Sequence, residues 1–337
     1  MLRAFTAFSG YDSQCMALDR IGLEYELVGW SEVDKAAIKA HDAVYPQWAD
    51  RNFGDICKVD WDAVPGFDLF TYSFPCQAIS TIGRMGGLVK GSGTTSSLLW
   101  ECEKAVETKR PKYLVMENVS ALLSERFAGQ LGEWRRTLEG LGYSSFVRIL
   151  DARDYGVPQS RRRVFMVSVL GCREPYHFPM PCGRTGRLSD FLDKDVEERF
   201  YKGKTGYKRL NRLLASGKVA SENAEPLFLD VYSQTIYKGY APTILTVVKS
   251  GSNYYVKEPS AAGGRLRYPT PGECLRLMGV SEADMGRMRG AGIGEADLYR
   301  LAGNSIVVDV LAEIFRKLFM DKGPDAEEQM ELLMEAR

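Results

Sequence analysis

Cys76 stands in the run Ser73-Phe74-Pro75-Cys76-Gln77, directly after an apolar stretch that reads as a strand. Proline fixes the backbone and removes a donor, so the cysteine that follows it is held at a rigid turn and displayed as a reactive thiol would be. A lone cysteine is more often a small buried hydrophobe. Here an acid ends the next strand, in Met116-Glu117-Asn118-Val119, where a carboxyl is costly to bury unless something binds it. A cysteine and a carboxylate on adjacent strand ends suit nucleophilic catalysis. Gln159-Ser160-Arg161-Arg162-Arg163 adds cations. Alternate side chains of an extended segment share a face, so Arg161 and Arg163 are expected to point together toward the catalytic strand ends, and Arg162 away.

A second group suits an adenosine ligand. Phe8-Ser9-Gly10-Tyr11-Asp12 ends the first apolar run; its glycine lets the backbone approach a ligand, and the helix that follows offers free amides. Glu32 ends the second strand about 20 residues on, where a carboxylate accepts both ribose hydroxyls. Asp55, in Gly54-Asp55-Ile56, is expected at the end of a third short strand, placed for an adenine amino group. Each acid alone is more often a surface residue or helix cap; their order carries the reading.

The elements that must position these residues alternate. Strands are expected over residues 2–8, 24–30, 68–73, 113–117, 145–150 and 164–169, with helices over 13–21, 35–44, 98–109 and 129–141. Such alternation predicts a doubly wound α/β domain with a mostly parallel sheet and ligands beyond the carboxyl ends of its strands. After Gly171 the pattern gives way to a Pro- and aromatic-rich stretch, then to short β-type runs at 243–248 and 254–256. Helical patterning returns at 271–278 and 305–319, the last helix expected to pack back on the first domain.

Composition bounds the rest. A chain of 337 residues with 45% hydrophobic content can bury one large core and carry a smaller domain. Seven cysteines without C-x-x-C pairs and two histidines argue against a disulfide framework and a zinc site. No run approaches a membrane span, and a cytoplasmic protein is expected. The net charge is zero, yet Arg199, Lys202, Lys204, Lys208, Arg209, Arg212 and Lys218 lie in a stretch without an acid, which suits a stripe tracking phosphates better than its alternative, a solvated helix face.

Taken in order, these motifs resemble the bacterial and phage DNA (cytosine-5) methyltransferase family over nearly the whole chain apart from its middle. Phe8-Ser9-Gly10 is similar to the cofactor loop, Phe74-Pro75-Cys76-Gln77 to the nucleophile loop, and Glu117-Asn118-Val119 to the base-holding motif. Gln159-x-Arg161-x-Arg163 resembles the arginine motif, Pro271-x-Glu273-Cys274-x-Arg276-Leu277-Met278-Gly279 the motif organising the recognition domain, and Gly303-Asn304-Ser305-Ile306 the final motif. The family has more glycine where this chain has Tyr11-Asp12-Ser13-Gln14.

The resemblance implies a Rossmann-like S-adenosylmethionine-dependent methyltransferase domain at 1–175, a target-recognition domain at 176–264, and a return segment at 265–337. It implies catalysis by Cys76, Glu117, Arg161 and Arg163, with Cys76 adding to carbon 6 of a flipped-out cytosine. The cofactor, released as S-adenosylhomocysteine, is expected at Phe8, Ser9, Gly10, Glu32, Asp55, Ile56, Phe74, Leu98, Asn304 and Ser305, without a metal. Base and DNA contacts are expected from Phe74, Pro75, Gln77, Ser80, Arg84, Asn118 and Thr243, together with Lys202, Lys204, Lys208 and Arg209. The implied partner is double-stranded DNA, engaged by a monomer, with a restriction endonuclease as companion in a restriction–modification system. A tRNA-acting branch shares the Pro-Cys-Gln and Glu-Asn-Val motifs, but its Cys-Phe-Thr tripeptide is missing here. A silent DNA-binding protein of the same fold would not need Cys76, Glu117 and both arginines.

Overall fold

The computed structural model describes residues 1–75, 79, 95–172, 174–183, 186–201, 208–219, 222–246, 254–262 and 264–320. The chain divides into two compact units: Met1–Leu150, Arg162–Met180 and Val310–Arg337 form the first, Asp151–Arg161 and Pro181–Asp309 the second. From the sequence, the chain is expected to return to the first domain at residue 265. In the structure that return begins at Val310, and residues 265–309 group with the second unit.

The first unit runs β1 (Leu2–Ala7), α1 (Ser13–Arg20), β2 (Tyr25–Ser31), α2 (Lys35–Val44), β3 (Leu69–Tyr72), α3 (Leu99–Lys109), β4 (Tyr113–Val119), α4 (Glu125–Gly140), β5 (Tyr143–Asp151) and β6 (Arg162–Leu170). Their sheet has the order β2-β1-β3-β4-β6-β5. β1 is parallel to β2 and β3, and β3 to β4, which is why these strands read as continuous apolar runs buried on both faces. β6 departs from the parallel expectation: it lies antiparallel to β4, pairing Glu117 with Phe165 and Val119 with Arg163. β1 leads through α1 to one side of the sheet and β3 through α3 to the other, so the order reverses between β1 and β3. That makes the loops after Ala7 and after Tyr72 the ligand-side crevice of such a sheet.

One face packs an aromatic core in which the Phe5 ring lies 5.1 Å from Trp61, 5.3 Å from Phe67 and 6.0 Å from Phe70. Trp134 of α4 buries completely there and donates Nε1–H to the Tyr72 hydroxyl at 3.1 Å, satisfying its only donor.

The second unit contains α5 (Lys208–Ala215), β7 (Leu227–Asp230), β8 (Thr235–Lys238), β9 (Tyr254–Lys257), β10 (Leu266–Arg267), α6 (Pro271–Arg276), α7 (Glu282–Gly290) and α8 (Glu295–Asn304); α9 (Val308–Phe319) carries the chain into the first unit. Its sheet, β10-β9-β7-β8, is antiparallel at the pairs β10–β9, β9–β7 and β7–β8. The run expected at 243–248 forms no strand over its described residues 243–246, and residues 247–248 lie outside the described residues. Leu210 and Leu213 of α5 bury against Leu227, Leu229, Val231 and Tyr255, leaving Lys208, Arg209 and Arg212 exposed.

α6 starts with a capping box, Thr270 accepting the Glu273 amide while the Glu273 carboxylate accepts the Thr270 amide. The same carboxylate takes two hydrogen bonds from Arg267, at 2.7 and 2.8 Å, and Arg267 gives its Nε–H to Glu258 at 2.9 Å. Arg267 is 1% and Glu273 0% exposed, so each charge depends on its partner. Arg267→Met is expected to lower unfolding stability by about 3–5 kcal/mol, with much of the loss recovered when Glu273 is also made apolar. Urea unfolding of the single and double variants measures this, and an undiminished midpoint in the single variant would contradict it.

Candidate active site

The turn after β1 is built from left-handed residues, Phe8 at φ 56°, Gly10 at φ 60° and Asp12 at φ 69°. The Gly10 amide donates to Glu32 Oε2 at 2.9 Å, and the Val33 and Asp34 amides donate to Oε1 at 2.8 and 2.9 Å. Three amides thus aim the carboxylate while leaving it lone pairs for a ligand. Asn52, which sequence reasoning passes over, fixes the neighbouring turn: its Oδ1 accepts the Glu32 and Gly54 amides and its Nδ2 donates to the Glu32 carbonyl. The Asn-x-Gly pattern is the signal that could have revealed it. Asp55 does not end a third strand. A single bridge, Trp30 to Asn52, is all that pairs there, and Asp55 caps a short 3-10 helix, Ile56–Lys58, accepting the Cys57 amide at 3.1 Å.

Two carboxylates on turns stitched together by Asn52, buried Ile56 and Phe74, and open space where a side chain at Gly10 would stand suit the adenosine half of a nucleoside cofactor. Leu98, expected at the cofactor, precedes α3 and packs against the same core.

At the adjacent strand ends, Asn118 Nδ2 donates to the Phe74 carbonyl at 3.0 Å and Ser96 Oγ to the Pro75 carbonyl at 2.6 Å, anchoring the two residues that precede Cys76 in the sequence. Glu117, 8% exposed, pairs with Arg163 Nε at 3.2 Å. The register explains this, because Arg163 lies diagonally across from Glu117 on the same face of β4 and β6. Cys76, Gln77, Ser80, Arg84, Lys202 and Lys204 lie outside the described residues.

Arg161 is buried where Arg162 is exposed, as the alternation along this segment predicts. It belongs to the second unit, 3% exposed, and its guanidinium donates to the carbonyls of Ile244 (3.1 Å), Gly303 (3.0 Å) and Ser305 (2.6 Å). Gln159 works beside it, donating to the Leu277 carbonyl at 2.7 Å and accepting the Ile244 amide at 3.0 Å. Thr243, expected to face nucleic acid, donates its hydroxyl to the Ser160 carbonyl at 2.6 Å. A Cβ on Gly303 would stand 2.3 Å from the Thr246 nitrogen, so only glycine admits this approach, just ahead of Asn304 and Ser305. In the basic stretch, Arg199 is committed to Glu197 and Glu295, whereas Arg209 lies exposed with its guanidinium 4.9 Å from the Tyr232 ring centre.

The sequence matches the model of the family described as C-5 cytosine-specific DNA methylase over residues 2–320. The chain belongs to that family. It is 33% identical to the type II methyltransferase M2.ScrFI of Lactococcus lactis subsp. cremoris, over 95% of this chain and 99% of the relative. It is 30% identical to the orphan methyltransferase M.SssI of Spiroplasma monobiae, over 94% and 97%. Among solved structures it resembles the Entamoeba histolytica methyltransferase EhMeth (TM-score 0.67, 18% identity, 96% and 99% covered) and S. pombe Dnmt2 (TM-score 0.65, 19%, 94% and 98%), likenesses of fold. The protein is therefore an S-adenosylmethionine-dependent cytosine-5 methyltransferase. Among the described residues no helix is long and apolar enough to cross a membrane, and no group of three His, Cys, Asp or Glu side chains is arranged to hold a metal.

Asp12 stands two residues beyond Gly10 in the same turn. Its side chain turns inward, fully buried, accepting the Cys15 amide at 3.0 Å and the Thr6 hydroxyl at 2.9 Å. His41 Nε2 lies 3.7 Å from Asp12 Oδ2, and its ring stacks on Trp30 at 3.7 Å; Asp42 Oδ1 lies 3.4 Å from the other ring nitrogen. Burial pushes the Asp12 carboxyl up to about 6 and the His41 imidazole down to about 3. His41 stays neutral in the fold while the unfolded chain's histidine protonates near pH 6.5, so its contribution is present above pH 6.5 and lost as pH falls below it. Asp12 acts oppositely, since its proton uptake near pH 6 favours the fold. His41→Gln is accordingly expected to lose about 1 kcal/mol less stability than the parent between pH 7.5 and 5.5. Denaturant unfolding at the two pH values tests this, and identical losses would show that His41 does not titrate as described.

Proposed function

We propose that this methyltransferase acts on cytosine in duplex DNA, flips the base out, and methylates carbon 5 through a covalent adduct with Cys76. The observation that carries the reading is the Glu117–Arg163 pair at the strand ends, with Phe74 and Pro75 anchored beside it at the entry to Cys76. A carboxylate and a guanidinium side by side offer an acceptor and a donor to one edge of a ring, as cytosine presents an exocyclic amine and a carbonyl on either side of N3. The description of the matching family, a DNA methylase, supports DNA as the polymer.

Carbon 5 of cytosine is a poor nucleophile. The Cys76 thiolate forms a bond to carbon 6, and the electrons of the 5,6 double bond make carbon 5 enamine-like. Glu117 holds N3 and the amine as the ring takes up charge, and Arg163 holds the carbonyl oxygen. Arg161 acts at one remove, tying Ile244 to Gly303 and Ser305. Glu32 and Asp55 hold the adenosine end of the cofactor, and Gly10 lets the backbone lie against it. Bound S-adenosylmethionine supplies the methyl group that carbon 5 takes. A base then removes the carbon 5 proton, and Cys76 leaves as the double bond reforms. Extruding the cytosine costs a few kcal/mol. A companion restriction endonuclease is expected to cut the same site, which methylation would protect.

Cys76→Ser is expected to retain less than about a tenth of the methyl transfer while binding S-adenosylhomocysteine within about twofold of the parent. The parent, and not the variant, should form a denaturant-resistant adduct with duplex DNA containing 5-fluorocytosine. Parallel assays with tRNA separate the polymers, and faster methylation of tRNA than of any duplex would overturn the DNA reading.

Neutralising Lys202, Lys204, Lys208 and Arg209 together should weaken duplex binding and flatten its salt dependence by roughly one unit of slope for each phosphate left unneutralised. Affinity across a salt series decides it. An unchanged slope would assign this stretch to a solvated face.

A further inference from the structure

The turn that approaches the cofactor is held from beneath by a buried polar network. Ser9 Oγ donates to the Thr6 carbonyl and lies 2.9 Å from the Thr6 hydroxyl, which in turn donates to Asp12 Oδ2. Asp12 Oδ1 takes the Cys15 amide, so the side chain that closes the turn also caps α1. The Asp12 amide returns to the Ser9 carbonyl at 2.8 Å, and Gly10, inside this closed ring of bonds, gives its own amide to Glu32. Asp12 holds φ 69° and ψ 59°, a conformation that glycine adopts freely and that Asp and Asn tolerate better than other residues. The imidazole of His41, on α2, stands behind the carboxylate, its buried Nε2 3.7 Å from Asp12 Oδ2 and without a hydrogen-bond partner among the described residues.

We propose that Asp12 is a positioning residue for cofactor binding: its buried carboxylate ties the end of β1 to the start of α1, and this tie sets the course of the Phe8–Gly10 backbone and, through Gly10, the aim of Glu32. The inference rests on the reading that this turn cradles the cofactor. Asp12 acts on the ligand through the loop, since its own oxygens point into the protein, toward Thr6 and the Cys15 amide.

The experiment measures S-adenosylhomocysteine affinity by titration calorimetry, together with steady-state kinetics, for the parent, Asp12→Asn, Asp12→Gly, Asp12→Ala and Glu32→Ala. Asparagine keeps an oxygen for the Cys15 amide and tolerates the left-handed backbone, so it should bind within about twofold of the parent. Glycine keeps the backbone but loses the tie, and should weaken binding about fivefold or more. Alanine loses both, and should weaken it about tenfold or more. The kinetic split is the second readout: in Asp12→Gly, KM for S-adenosylmethionine should rise in step with the dissociation constant while kcat at saturation falls less than about threefold. Hydrogen exchange at the Gly10 and Cys15 amides should accelerate in the glycine variant and not in the asparagine one.

Glycine binding as well as the parent would mean that backbone conformation alone suffices, and would overturn the proposal. So would asparagine as weak as alanine, since the tie would then not be what matters. Glu32→Ala separates the proposal from the reading beneath it. If Glu32→Ala binds as tightly as the parent, the turn is not the cofactor cradle. If it binds weakly while the Asp12 variants do not, only the role of Asp12 fails.

Discussion

A carboxylate at the carboxyl end of a buried strand must have its charge met, and this enzyme answers that requirement three ways at three strand ends of one sheet. After β2, Glu32 is met by backbone amides from its own turn and from Gly10. After β1, Asp12 is met by an amide and a hydroxyl, and is buried deeply enough for its proton affinity to rise. In β4, Glu117 is met by a guanidinium from the antiparallel neighbour. The consequences differ with the partner. Amide donors fix direction and leave lone pairs for a ligand, as a ribose diol requires. An arginine partner can instead share its donors with whatever the carboxylate binds, as an acceptor–donor pair facing a pyrimidine edge requires. The antiparallel placement of β6 thus has a chemical use, since it brings Arg163 diagonally across from Glu117.

The arginine motif divides its labour between the two units. Arg163 belongs to the first, at the strand ends, while Gln159 and Arg161 belong to the second. There they gather backbone from residues 241–246, 277 and 303–305 around two polar side chains. Three carbonyls converge on one buried guanidinium, giving its two terminal nitrogens acceptors where water has little access. Gly303 makes the convergence possible, because any side chain there would collide with the Thr246 backbone.

Much of this is legible in the sequence, and the failures have physical causes. Strands and helices of the first unit stand within a few residues of where periodicity puts them, because buried parallel strands and amphipathic helices leave strong periodic signals. Glu117 and Arg163 are readable as strand-end groups. For Arg161, alternation along an extended segment gives the face its side chain takes and says nothing about the carbonyls waiting there. Asp55 reads as a strand end from its place in Gly54-Asp55-Ile56; the structure gives a single bridge, Trp30 to Asn52, and a cap. Asn52 escapes notice because its work is done with backbone groups, which a sequence does not display. Sheet direction also escapes, since β6 is as apolar as the parallel strands β1, β3 and β4.

Asp12 shows how a residue other than glycine can be accommodated at a left-handed position. Glycine at a left-handed position removes strain but leaves a more flexible unfolded chain and a helix without a cap. Aspartate carries some strain at φ 69° and a desolvation cost that appears as a carboxyl titrating near pH 6 instead of near 4. In return it provides an N-cap, closes a hydrogen-bonded ring under the cofactor turn and reduces the freedom lost on folding. These effects are each of order 1 kcal/mol, so the exchange is close to balanced in stability. What it changes is rigidity, in a turn whose Gly10 amide aims Glu32. A local rule broken at a near-balanced cost, beside a ligand site, is where function is expected to reside.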